Sequence, residues 1–327
     1  MTTNRRDFLK VCAATGVVTA LPLTAWANTQ TVRYGGSAWL GHYPAYLAMN
    51  EGYFAEEGIE QNWESFGTSS ARMTAVMSGG VDIACTGIVS ALALMARGAS
   101  QFSIIAVPET FGRVEGLIGR ENVKSLDDLK GKKIGVTFAS SAHLLVLDIM
   151  NQKGLTDKDV TVLNVPAPEL PAAMQAGQID AAAAWTPQFD HILRQEGATL
   201  LADDTAFSLY DSHQVTPGPD VLVVRRAFAE KNPDVVKAYL RAYFKACEFL
   251  RDQPDEAAEK LLSLTNIDLD DQLAAVKGAD WFDAAKQDEM LNGPFIDGLQ
   301  ELAEMLVRYK QIDKAPTVKD WVDSSFI

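Results

Sequence analysis

Short apolar runs alternate with segments of helical periodicity along most of the chain. Val32–Gly36, Ile59–Phe66, Ile83–Thr86 and Phe102–Val107 read as strands, while Ala45–Glu51, Ser70–Met77 and Val89–Arg97 carry apolar residues at helical spacing. Gly52 stops the first of these helices. Strand and helix in alternation predict βαβ units, and so an α/β fold with largely parallel sheets covered by helices. The pattern is sharpest from Leu129 to Leu145. Ile134–Thr137 reads as a buried strand and Phe138–Ser141 as a tight polar turn. Leu144, Leu145, Leu147 and Met150 then form one helix face that ends at Gly154. A turn of this kind leaves backbone N–H groups unpaired at the helix mouth, where the helix dipole attracts an anion. Thr68-Ser69-Ser70 and Thr86-Gly87 predict similar mouths.

The second half of the pattern echoes the first. Ala75–Ala84 and Ala173–Ala182 both end a helix at glycine, place an aspartate three residues later and enter a short buried strand. Two similar lobes follow from this, joined by two crossing strands, Leu117–Arg120 and Asp220–Arg225. Residues 28–113 with 222–327 form the first lobe and residues 114–221 the second. From Arg226 the chain is helical almost to its end, with Phe228, Val235, Val236, Tyr239, Leu240 and Phe244 on one face. Two lobes on a two-strand hinge hold a ligand in the cleft between them.

Residues 1–27 stand outside this pattern. Arg5-Arg6-Asp7-Phe8-Leu9-Lys10, the apolar run Val11–Leu23 and Ala25-Trp26-Ala27 read as a twin-arginine export signal with its cleavage site, placing the mature protein in the periplasm. Removing that segment takes the formal charge from −14 to −16. An acidic body repels nucleic acid and anionic lipid, so neither is an expected partner. An anionic ligand must then be held by local dipoles and donors. Cys85 and Cys247 lie in apolar surroundings far apart in sequence and read as buried free thiols. No later run is long and apolar enough to span a bilayer.

At this point the chain resembles the periplasmic substrate-binding proteins of ABC importers, in the nitrate, sulfonate and taurine branch. The resemblance covers essentially all of the mature chain. It is carried by Tyr46–Ile59 and Leu126–Val136, and nearer a ligand by Phe138–His143, Ala184-Trp185-Thr186-Pro187 and Asp220–Val224, where it is most like the taurine-binding members. It implies a two-lobed periplasmic-binding-protein fold of type II, with mostly parallel sheets and a helical C-terminal extension. It also implies that Ser140, Ser141 and the helix N–H groups beside them hold a sulfonate, that Trp185 lines the pocket, and that Asp220 faces an ammonium group. The chain departs from the family at Trp39-Leu40-Gly41-His42-Tyr43, which is unusually aromatic. It departs again at Pro108-Glu109-Thr110-Phe111-Gly112, which adds an acid near the hinge.

The candidate residues follow. A carboxylate at a hinge facing a cleft is costly unless a cation meets it, which singles out Asp220 first, then Glu109 and Glu115. Trp39, Tyr43, Phe111 and Trp185 fall in turns at strand ends; together they can form an aromatic cage worth about 0.5–2 kcal/mol per ring to an amine. Thr68, Ser69 and Thr86 belong to the predicted helix mouths. His42 and His143 are candidate contacts, but with His191 and His213 scattered they form no metal set. No cofactor is expected, and no His, Cys or Lys constellation has catalytic spacing. The expected function is capture of a small amine-bearing anion, taurine or a related zwitterion, by a monomer that delivers it to an ABC permease in the inner membrane. The rivals are another ligand of the branch (an aliphatic sulfonate, an aromatic carboxylate or a methylated amine), an enzyme on the same fold related to thiamine-pyrimidine synthases, and a sensory protein docking on a membrane receptor.

Overall fold

A computed structural model describes residues 29–138 and 140–327; the export signal expected in residues 1–27 lies outside the described residues. The strands are β1 (Gln30–Gly36), β2 (Ile59–Ser65), β3 (Ile83–Gly87), β4 (Phe102–Ala106), β5 (Glu109–Phe111), β6 (Glu115–Gly119), β7 (Lys133–Val136), β8 (Thr161–Asn164), β9 (Ala181–Trp185), β10 (Thr199–Asp203), β11 (Asp220–Arg225) and β12 (Ala279–Trp281). They build two five-stranded sheets, ordered β2-β1-β3-β11-β4 and β8-β7-β9-β6-β10, and a two-stranded antiparallel sheet of β5 and β12. In the first sheet β1 runs parallel to β2 and β3, and β11 is antiparallel to β3 and β4. The second sheet repeats this, with β7 parallel to β8 and β9 and β6 antiparallel to β9 and β10.

The sequence echo sits at equivalent places in the two sheets. The helix Ser69–Ser78 ends at Gly79 (φ 85°) before β3, and the helix Leu170–Gln175 runs into Gly177 (φ 69°) before β9. Both glycines occupy the left-handed region that side chains resist. The aspartate three residues on does the same work in each lobe. Asp82 Oδ2 accepts from Arg33 N at 3.2 Å on β1, and Asp180 Oδ2 from Lys133 N at 2.9 Å on β7. Each thereby ties the start of its own strand to the parallel neighbour, at the middle of β1 in one lobe and the first residue of β7 in the other. In the first lobe Asp82 also accepts from the guanidinium groups of Arg33 and Arg225, both at 2.7 Å, so it is held below the ordinary carboxylate range despite burial.

The two strands expected to cross between lobes each lie within one sheet. β6 is enclosed by β9 and β10, and β11 by β3 and β4, so the crossings fall in residues 112–114 and 214–219. Asp220 and Val221, expected in the second lobe, pair with Gly87 and Thr86 of the first sheet. The C-terminal extension is helical as expected, apart from β12, which returns to pair with β5. Its helix Pro233–Asp252 buries Tyr239, Tyr243 and Cys247 against the first lobe. Its helix Pro294–Arg308 packs against the second, where Gly298 makes room for His213 and Val215. Cys85 and Cys247 are buried and free, and no described helix is long and apolar enough to cross a membrane.

Candidate functional site

A cleft of about 330 Å³ opens between the lobes. Three helices begin at its wall: Ser69–Ser78 after Thr68, Ile88–Ala96 after Gly87, and Ser141–Gln152 after Ser140. The polar turns picked out in the sequence therefore converge on one space. They differ in what they leave open. Thr68 Oγ1 accepts from Ala71 N at 3.2 Å. Ser140 Oγ accepts from His143 N at 3.2 Å and donates to Thr137 O at 2.6 Å, so this hydroxyl is occupied in holding its helix start. Gly87 has no side chain with which to cap its helix, and Ser90 in that first turn faces the cleft.

Nine of the fourteen candidate residues line the cleft: Trp39, Thr68, Ser69, Phe111, Glu115, Ser140, Ser141, Trp185 and Asp220. Asp220, at the start of β11, is 3% exposed and accepts from Trp39 Nε1 at 2.6 Å. Burial raises its carboxyl to about 6, while the Trp39 hydrogen bond and the charge of Arg72 hold it down. A Cβ on Gly41 would overlap Asp220 Oδ2, so glycine there is a condition of the carboxylate's position. Across the cleft, Glu115 begins β6 and accepts from Ser141 Oγ at 2.5 Å. Burial pushes Glu115 to about 8 against that hydrogen bond, and nearby Asp204, itself raised by burial to about 7, adds to the rise. The Trp39 and Phe111 rings meet edge to face at 6.1 Å on the same wall as Asp220.

The other five stand away from the lining. His42 and Tyr43 follow Trp39 closely in sequence, but the 3-10 turn Leu40–His42 rotates them inward. His42 Nδ1 lies 2.8 Å from Tyr34 Oη, and Tyr43 stacks on Trp281 at 6.3 Å. Burial, with the charge of Arg72, lowers His42 far below the usual imidazole value, so it is neutral. Thr86 lies in the body of β3, and Glu109 beneath Phe111 on β5. His143 stacks on Phe138 at 4.5 Å outside the cleft.

Arg72 was missed by sequence reasoning and supplies the cleft's one guanidinium. It sits in the first turn of its helix, 3% exposed, with Nη2 donating to Ser69 Oγ at 3.1 Å and Nε unpartnered among the described residues. Its stem lies over Gly35, where a Cβ would come within 2.9 Å of Cγ. Ser37, Phe66 and Ser90 complete the lining near it. The site thus sets a buried cation with open N–H capacity beside helix starts. It sets two buried acids on opposite lobes, and aromatic faces between.

The family described as NMT1/THI5 like matches residues 39–257. The taurine-binding periplasmic protein of Escherichia coli (strain K12) is 31% identical over 318 residues, spanning 93% of this chain and 94% of that protein. Among solved structures, the periplasmic aliphatic sulphonate binding protein SsuA from Escherichia coli superposes with a TM-score of 0.76 at 20% identity, covering 90% of this chain and 97% of SsuA. The desulfurization enzyme DszB superposes with a TM-score of 0.65 at 14% identity, covering 91% and 97%. The fold is therefore one that carries binding proteins and an enzyme alike.

Proposed function

The chain belongs to the NMT1/THI5-like family, and from that premise we propose that it is the substrate-binding protein of an ABC importer in the taurine, sulfonate and nitrate branch. Its ligand is a small zwitterion with a sulfonate or carboxylate at one end and an amine at the other. One observation carries this reading: Arg72, Asp220 and Glu115 line a single cleft, so opposite charges are offered across it. The anion meets the Arg72 guanidinium and the helix starts at Ser69 and Ser90, where dipole and charge act together. The ammonium meets the Asp220 carboxylate on the first lobe, and Glu115, uncharged near neutral pH, offers it a hydrogen-bond acceptor from the second. Because each lobe supplies one acid, the ligand binds best when the lobes close and exclude water. The closed form is then delivered to a permease in the inner membrane.

A second reading draws on the aromatic wall. Trp39, Phe66, Phe111 and Trp185 line the cleft, and a methylated amine gains cation–π contacts of about 0.5–2 kcal/mol per ring. The enzyme reading finds less support, since Cys85 and Cys247, the free thiols among the described residues, are buried within the first lobe and neither lines the cleft.

Calorimetry with 2-aminoethanesulfonate, ethanesulfonate and trimethylglycine separates these readings. The amino-sulfonate is expected to bind at least about 30-fold more tightly than ethanesulfonate, the smaller value for losing one partner of a buried charge pair. Equal affinities would remove the zwitterion reading, and tightest binding of trimethylglycine would favour the aromatic one. Mass spectrometry of the released ligand is expected to return it unchanged; conversion would establish an enzyme.

A further inference from the structure

Glu109 has no part in that scheme, yet it lies directly behind it. It sits on β5 two residues before Phe111, so both side chains leave the same face of the strand. Phe111 meets Trp39, and Trp39 donates to Asp220. Glu109 is 0% exposed, and neither of its oxygens has a partner among the described residues. The titratable groups around it come from three elements: Asp220 on β11, Cys85 on β3, and Tyr243 and Cys247 on the Pro233–Asp252 helix. The β12 strand places Trp281 opposite it. The Trp39 donor and the Arg72 cation both serve Asp220, while the nearby Tyr243 hydroxyl is buried without a partner among the described residues.

Two carboxyls buried together do not both ionise, and the one with a donor keeps the charge. Burial and the neighbouring Asp220 charge accordingly push Glu109 well above the carboxylate range. We propose that Glu109 remains an uncharged acid behind Asp220, so that Asp220 alone carries the negative charge at this end of the cleft, which takes one cationic group. This rests on Asp220 as the ammonium site. Glu109 itself touches no ligand; by staying neutral it leaves Asp220 as the single charge there.

Difference infrared spectroscopy on the ligand-free protein at pH 7 tests the proton directly. Glu109→Gln is expected to lose one protonated-carboxyl C=O band, and Asp220→Asn to lose none. In calorimetry, Glu109→Gln is expected to bind 2-aminoethanesulfonate within about threefold of wild type, with the same loss of affinity on acidification. An ionised Glu109 gives the opposite set: no band lost, affinity down by about 30-fold or more, and the acid limb moved to lower pH. If Glu109→Gln does not fold, Asp220→Asn decides alone, since loss of a band there places the proton on Asp220. Should 2-aminoethanesulfonate fail to bind wild type, the ligand reading falls while the infrared comparison still judges Glu109.

Discussion

Arg194 Nη1 donates to Asp271 Oδ1 at 2.8 Å, tying one lobe to the other. Arg194 closes the helix Gln188–Leu193 against the second sheet, whereas Asp271 sits on the helix Leu269–Lys277 beside the β5–β12 pair. His191 Nε2 approaches the second oxygen of Asp271 at 3.4 Å. Asp271 is largely buried, but the Arg194 side chain is 56% exposed, so water and salt weaken the pair. Asp271→Asn is expected to speed ligand release by about twofold to fivefold, the worth of one partly exposed ion pair. Stopped-flow dissociation measures this, and an unchanged rate at low salt would show that the tie plays no part in holding the lobes together.

Arg72 is the residue whose loss the anion should feel most. Arg72→Met keeps much of the packed volume over Gly35 and removes the charge. Binding is expected to weaken by roughly 2–5 kcal/mol, with little loss of apo stability because the desolvation cost of the buried cation offsets its attraction to Asp220. Calorimetry beside a melting curve distinguishes this from a folding defect.

Asp220→Asn is expected to cost roughly 2–5 kcal/mol toward an amino-sulfonate and little toward ethanesulfonate. Acid should imitate the mutation. With the carboxyl raised to about 6, it neutralises as pH falls through that value, and affinity for the ammonium end falls with it. A flat profile between pH 5 and about 7.5 would mean that Asp220 does not meet the amine.

Gly41→Ala alters no functional group. Its new Cβ would displace Asp220 Oδ2, which has nowhere to go without leaving Trp39. Loss of amine-dependent affinity comparable to that of Asp220→Asn is expected, and normal binding would show that the carboxylate position is not critical.

The buried acids also set how the apo protein responds to pH. Glu115, Asp204 and Asp220 are raised by burial to about 8, 7 and 6, so the folded state holds their protons more tightly than the unfolded chain. Their contribution to stability is greatest below the ordinary carboxyl range and is lost as pH rises through those values. The melting temperature of the ligand-free protein is expected to fall between about pH 5 and pH 8.5, and bound zwitterion to offset the fall. A melting temperature that climbs over that interval would contradict the assignment.

The strands and helices of both lobes were legible because β-branched runs and terminal glycines are local signals. Trp39 and Asp220 were legible for the same reason, since Asp220 starts β11 and Trp39 follows the end of β1 by three residues. Arg72 was not. In sequence it is one cation in a helix of mixed small and apolar residues, and its stem lies over Gly35 on β1, 37 positions earlier. Gly35, a strand position with no side chain opposite that helix, was the available clue. His42 and Tyr43 erred the other way: neighbours of a cleft residue in sequence, they are turned into the core by a single 3-10 turn. The crossing strands were misplaced because an apolar strand looks the same at a sheet's centre as between two lobes.

The placement of β11 between β3 and β4 bears on how the molecule comes into being. Every strand of the second sheet lies within residues 115–203, whereas the first sheet stays split until residues 220–225 are made. As the chain leaves the ribosome, the lobe begun first is therefore completed last. Until then β3 shows an open edge and β4 has no strand beside it. Unpaired edges invite pairing with other chains, so that interval of synthesis is when the nascent protein is most exposed to aggregation and to chaperones.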